Sequence, residues 1–308
     1  MRRTSVLRRV LFPLLALALV LADSGVMAHE VVASTTFGTL KVERHGEHGR
    51  PVILIPGLAG GPWVWQQTIA ALETNHVVYA VTLAGFDGMP APADGGNLFD
   101  RADASLLEWI QQQKIDKPVL VGHSLGGTLA LRFASEHPGL VAGVVAVDGL
   151  PLFPGMDRVG AEQRVAMAAG MRKQVASATP AQFRAQQLDY MQKIGVIDPA
   201  LAARYAPCNA RSDVQATAEY MAEDLAADGR PGLKHANLPI LEISPYNAPD
   251  FSQPPMLMTE QQKADYYRSL LANAPDARVV SISPSRHFVM LDQPAKFQLV
   301  LNDFLKSL

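Results

Sequence analysis

Gly122, His123, Ser124, Leu125 and Gly126 follow directly on the apolar run Val119–Val121 and lead into the helix-like stretch Thr128–Ala134. A strand, a tight Gly-x-Ser-x-Gly turn and a helix, in that order, form the setting in which a serine hydroxyl is lifted clear of the main chain. A hydroxyl is a weak nucleophile and reacts only when it stands exposed within reach of a base. Such a turn presses backbone against the adjoining strand and helix, so the flanking positions need residues with little or no side chain. The chemistry that fits Ser124 is attack on an acyl carbon, and the base must come from elsewhere in the chain.

The elements that must position this serine are legible as alternating patterns. Leu40–Arg44 alternates with a period of two and reads as a strand. The runs at 52–55, 77–81, 119–121, 144–147, 240–243 and 279–282 are short and apolar, each bounded by Gly, Pro or Asp, as in the centre of a parallel sheet. Helical patterns fill the intervals. One runs to Gln112 with Asp100 as its expected cap, one from Ser124 to His137, one from Glu260 to Asn273 and one from Pro294 to Leu308. Strand–helix alternation predicts a doubly wound, mostly parallel α/β sheet. Between Asp148 and Leu238 the pattern is helical throughout, with starts at Ala161, Thr179 (a capping box with Pro180 at the first helical position), Asp198 and Ser212 or Asp213. Residues 151–237 are therefore expected to form a helical lid inserted into a core made of 29–150 and 238–308. The Gly-, Pro- and Asp-rich loop Gly85–Asn97 is expected to border the site.

Three segments, Ile55–Trp65, Gly122–Gly126 and Arg286–Pro294, give the chain a resemblance to the α/β-hydrolase superfamily, closest to exported bacterial members with a helical lid after the sixth strand. The resemblance implies a Ser–acid–His triad in which the histidine comes last in the chain. That is His287, after the last strand and before the final helix. An imidazole there takes the Ser124 proton and later delivers it to the leaving group. Where the family usually has Gly before this histidine, the chain has Ser285 and Arg286. Two carboxylates are candidates for the acid: Asp148, at the end of the strand 143–147 and followed by Gly149, Leu150 and Pro151, and the alternative Asp250, after the next strand, where the usual tight turn is replaced by a displaced, proline-rich segment. The oxyanion donors implied are the backbone amides of Leu125 and Leu58. Trp63 and Trp65 are expected to pack the following helix.

The remaining features narrow the class. The chain has 308 residues, 48% hydrophobic and 18% charged, with a net charge of −2, and it lacks a basic stripe interleaved with aromatics; nucleic acid is not expected as a partner. Arg2, Arg3, Arg8 and Arg9 precede the apolar run Val10–Leu21, and small residues lead to Ala28. This is the layout of a signal peptide spanning residues 1–28, which predicts a periplasmic or secreted protein with no stable membrane insertion after cleavage. Cys208, the single cysteine, reads as a core residue. His45 and His48 lack further ligands, so no metal is expected, and the triad requires no cofactor. The methionines at 156, 167, 171, 191 and 221, with Phe153 and Phe183, offer an adaptable apolar surface, although individually they are expected mostly to pack lid helices together. The expected function is a serine hydrolase cleaving carboxylic esters or related acyl bonds of small to medium apolar molecules. The alternatives are a catalytically weak binding protein of the same fold and a carbon–carbon bond hydrolase or perhydrolase using the same triad.

Overall fold

The structure, a computed structural model, describes residues 33–254 and 256–308. The expected signal peptide lies outside the described residues. Eight strands form one sheet: β1 (Ala33–Phe37), β2 (Leu40–His45), β3 (Arg50–Ile55), β4 (His76–Leu83), β5 (Val119–His123), β6 (Gly143–Val147), β7 (Ile240–Pro245) and β8 (Ala277–Ile282). Their order is β1-β2-β4-β3-β5-β6-β7-β8. β2 pairs antiparallel with β1 and β4, and every pairing from β4 to β8 is parallel.

The parallel strands carry apolar side chains on both faces, and the sheet is covered on both. Ile53, Ile55, Leu120, Val144 and Ala146 pack under α2 (Leu98–Gln112) and α3 (Leu125–Glu136). Val52, Leu54, Val121, Val145 and Ile243 face the other way, onto α1 (Gln66–Leu72) and the C-terminal helix, which is numbered α10 below. This is the reason these strands read as continuous apolar runs rather than alternating ones. β1 was not visible in the pattern. It is a polar, largely exposed edge strand, Ala-Ser-Thr-Thr-Phe, held only by β2.

Between β6 and β7 the chain is helical: α4 (Ala161–Ala176), α5 (Pro180–Tyr190), a π-helical turn at Met191–Gly195, α6 (Pro199–Asn209) and α7 (Val214–Ala226). The Thr179–Gln182 capping box opens α5 with both reciprocal bonds. Asp198 and Asp213 cap α6 and α7 through their side chains. After β7 come α8 (Glu260–Leu270), the short α9 (Val289–Asp292) and α10 (Pro294–Ser307). Among the described residues no helix is long and apolar enough to cross a membrane.

The start of α2 differs from expectation. Asn97, at φ 44°, occupies the cap position, and Asp100 lies in the first turn, paired with Arg132 at 2.7 Å. The first amides of α2 are instead satisfied from a distance. Glu223 of α7 accepts from Leu98 N at 2.9 Å and from Phe99 N at 2.6 Å. A carboxylate at the positive end of the dipole serves as well from another helix as from the local chain.

The turn at Ser124 is fixed by backbone contact. A Cβ on Gly126 would lie 2.4 Å from the carbonyl oxygen of Ile55 and 2.6 Å from that of Pro56. Both obstacles are main chain and cannot rotate away. Gly126→Ala is expected to lower stability by about 2 kcal/mol or more, a fall of roughly 4–8 °C in melting temperature. Thermal denaturation checks this, and an unchanged midpoint would contradict the tight approach.

Candidate active site

Ser124, Leu58, Asp148 and His287 come from the loops after β5, β3, β6 and β8, all at the carboxyl edge of the parallel sheet. This is where open α/β sheets bind ligands, next to the point where strand order reverses, here between β3 and β5. Ser124 has φ 52° and ψ −123°, between the last residue of β5 and the first of α3. Its amide donates to Val147 O at 2.9 Å, and its carbonyl accepts from Gly127 N at 2.8 Å and Thr128 N at 3.0 Å, so the strained conformation is held from both sides.

His287 Nδ1 lies 2.5 Å from Asp148 Oδ2. The second oxygen of Asp148 accepts from Tyr267 Oη and sits 4.0 Å from Lys263 Nζ. Lys263 and Tyr267 are one turn apart on α8 and reach the carboxylate together. Burial alone would push the Asp148 carboxyl up. Lys263, His287 and the hydrogen bonds from His287 and Tyr267 outweigh it and hold the group well below the usual carboxylate range. An ionised carboxylate only accepts, so Nδ1 of His287 carries the proton and Nε2 is left as the acceptor. Burial and the adjacent Asp148 push the Tyr267 hydroxyl well up, keeping it a donor.

The alternative acid is occupied elsewhere. Asp250 accepts from Arg286 Nε at 2.8 Å and from another guanidinium nitrogen at 2.7 Å. Arg286, where the family usually has Gly, also donates to the carbonyls of Gln192 at 2.8 Å and Val196 at 3.1 Å. His287 N and Phe288 N donate to Ile194 O at 3.2 Å and Gly195 O at 2.9 Å. The histidine loop is thus fastened along the π-helical turn of the insertion. The proline-rich displacement of Asp250 and the missing Gly are two halves of one ion pair.

Leu58 and Leu125 border the same cavity as Ser124, and among the described residues neither backbone amide has an acceptor. The Leu58 loop abuts the nucleophile: a Cβ on Gly57 would lie 3.0 Å from Ser124 Cβ. The cavity is about 440 Å³ and also touches His287, Asp148 and side chains of α4, α5 and α7. Of the five insertion methionines only Met221 lines it. Met191 is buried against Val196 and Phe288, and Met156 and Met171 pack against Ala168, Ala222 and Leu225. Trp63 stacks on Tyr205 and Phe288 at 5.2 and 6.0 Å, and Trp65 packs on Phe297, so neither lines the cavity. Residues 85–97 do not line it either. That loop is tied to the insertion, with Asp87 paired to Arg211.

Lys263, Tyr267 and Glu242 were not singled out from sequence, since each sits in an otherwise ordinary helix or strand. Glu242, on β7 opposite Ala146, is wholly buried. Burial and the nearby Asp148 charge push its carboxyl well up, the Gly149 amide and Lys263 pulling the other way. His123 is buried neutral, its Nε2 3.1 Å from His287 O, under the ring of Phe288. The metal-ligand spacing found among the described residues is Asp103, Glu136 and His137 at the far end of α3, where His137 Nε2 lies 2.8 Å from Asp103 Oδ2. It is remote from Ser124.

The alpha/beta hydrolase family matches residues 52–297, and the chain belongs to that family. Over 121 residues it is 32% identical to the 1-acylglycerol-3-phosphate O-acyltransferase ABHD5 of Sus scrofa, covering 38% of this chain and 35% of that one. The chain thus spans about a third of the length of the first curated relatives it matches, 35% for this one. A longer match, 25% identical over 289 residues, covers 83% of this chain and 79% of the (lyso)-N-acylphosphatidylethanolamine lipase of Bos taurus. A solved hydrolase from Pseudomonas aeruginosa superposes with TM-score 0.71 at 17% identity, covering 90% of this chain and 99% of that chain. This last likeness is one of fold.

The raised carboxyl of Glu242 has a consequence for stability. Its folded pKa lies above the ordinary 4.5, so its contribution is fully present below pH 4.5 and is drawn down as pH rises towards the raised value, by on the order of 1 kcal/mol per unit. Glu242→Gln removes that dependence. Its melting temperature relative to wild type is expected to climb as pH rises above 4.5. A difference that stays flat over that range would mean Glu242 ionises normally.

Proposed function

We propose that this chain is a serine hydrolase of carboxylic esters or related acyl bonds. The observation that carries the reading is the 2.5 Å contact between His287 Nδ1 and Asp148 Oδ2, at the wall of the cavity that Ser124 lines. With Nδ1 protonated, Nε2 accepts the Ser124 proton as Oγ attacks the acyl carbonyl. The negative oxygen of the tetrahedral intermediate is stabilised by the amides of Leu58 and Leu125, which have no other acceptor to give up. The imidazolium, balanced by Asp148, delivers its proton to the leaving oxygen. Water then repeats the sequence on the acyl-enzyme, and the acid is released. The triad needs no metal or cofactor for these steps.

The acid is assigned to Asp148 on its contacts, and Asp250 is read as a structural partner of Arg286. Ser124→Ala is expected to abolish turnover of a short p-nitrophenyl ester, and Asp148→Asn to lower kcat about 10⁴-fold. Asp250→Asn is expected to retain turnover to within about tenfold. A fluorophosphonate should label Ser124 rapidly in wild type. An inert serine would favour the binding-protein reading instead, and retained turnover in Ser124→Ala would sink the assignment outright.

We further propose that the chain is exported and acts on small molecules. The basic, apolar and small-residue succession over residues 1–28 supports export. Expressed in a bacterial host, the protein recovered outside the cytoplasm should begin at His29. Intact Met1 on that fraction would refute cleavage.

A further inference from the structure

Thr217, Met221 and Asp224 of α7 stand four and three residues apart, so they share one helix face, and all three line the Ser124 cavity. The other faces of α7 are used for packing. Ala216 and Tyr220 join the sheet-side core, and Ala222 and Leu225 pack on Ala168 of α4. Asp224 therefore presents a carboxyl to a chamber in which apolar walls from Leu, Phe, Val, Ile and Met alternate with polar groups, Gln186 and Gln187 among them. Packing does not call for it, because a leucine would suit those walls better.

The carboxyl also lacks an ionic partner. Among the described residues no Lys, Arg or His forms an ion pair with Asp224, although Glu223, its sequence neighbour, is engaged in capping α2. Its one polar contact is the hydroxyl of Thr128. That hydroxyl has a single proton, and Thr128 Oγ1 already donates to Leu150 O at 2.9 Å. An anion at Asp224 is thus left without an ionic partner, and Thr128 has no second proton to offer it. Burial accordingly pushes the carboxyl up to about 7, the Thr128 hydroxyl pulling the other way. Thr128 lies in the first turn of α3, which Ser124 caps, and Ser124, Thr128 and Asp224 line the same cavity.

We infer that Asp224 is a specificity-determining residue that accepts a hydrogen bond from an O–H or N–H⁺ group carried by the substrate a few atoms from the scissile carbonyl. The substrates are then hydroxy- or amino-substituted acyl compounds rather than plain aliphatic ones. The inference rests on the serine-hydrolase reading for its substrate class, and on the α7 geometry alone for the donor group. A site built around a cavity-facing acceptor with no ionic partner discriminates, because an analogue without the donor leaves that acceptor unsatisfied.

Paired p-nitrophenyl esters test it: β-hydroxybutyrate against isovalerate, where hydroxyl replaces methyl, and the β-alanine ester against butyrate, where ammonium replaces methyl. Wild type is expected to favour the donor-bearing member of at least one pair by about tenfold or more in kcat/KM. Asp224→Ala, which keeps a helix-favouring residue, should bring that ratio to near one. Asp224→Asn should keep a hydroxyl preference and lose an ammonium preference, which tells the two donors apart. Ratios near one for both pairs in wild type, or a ratio that Asp224→Ala leaves unchanged, would overturn the inference. A role confined to bracing α7 against α3 would move both members of a pair together.

The same acyl groups as anilides, titrated against Ser124→Ala protein in a thermal-shift measurement, read donor recognition with no turnover. Stabilisation by the donor-bearing anilide alone, lost in the Ser124→Ala, Asp224→Ala protein, upholds the inference even where a fluorophosphonate leaves Ser124 unlabelled. Equal stabilisation by both members overturns it.

Discussion

A carboxylate that stays ionised while enclosed by protein is the constraint on which the rest of the site depends. Asp148 manages this because two donors and a cation converge on it from separate parts of the chain: His287 after β8, and Tyr267 and Lys263 from one face of α8. Desolvation works against each of these charges singly, and Lys263 is itself depressed by burial while Asp148, Glu242 and Asp250 raise it. The cluster holds charge because its members compensate one another. The orientation of the imidazole, and through it the proton acceptor facing the cavity, follows from that balance.

The site is thereby distributed over the fold. Ser124 is set by backbone contact between the β5–α3 turn and the end of β3, His287 by a loop sewn to the insertion, and Asp148 by a strand end and a helix. The insertion does more than roof the cavity. It supplies the cap of α2 through Glu223, the carbonyls that bind Arg286, and the Thr217–Met221–Asp224 stripe.

The parts of this arrangement legible in the sequence are those with a local signature. The buried strands read as apolar runs because both sheet faces are covered, and the turn at Ser124 announces itself through glycines that backbone contact enforces. Capping residues at Thr179, Asp198 and Asp213 marked the insertion helices to within a residue or two. Signals that depend on tertiary neighbours did not register. β1 is an exposed polar edge. The α2 cap is supplied by a residue more than a hundred positions away. Lys263 and Tyr267 acquire meaning only when α8 is laid against Asp148. The partner of Asp250 is likewise a side chain, Arg286, that no spacing rule names.

The stitching of residues 286–288 to residues 192–196 has a mechanical corollary. Four hydrogen bonds join the segment bearing the imidazole to the stretch between α5 and α6. Raising that part of the roof would carry the proton acceptor away from the serine with it. Any displacement of residues 192–196 is therefore geared to the position of His287 at the cavity wall.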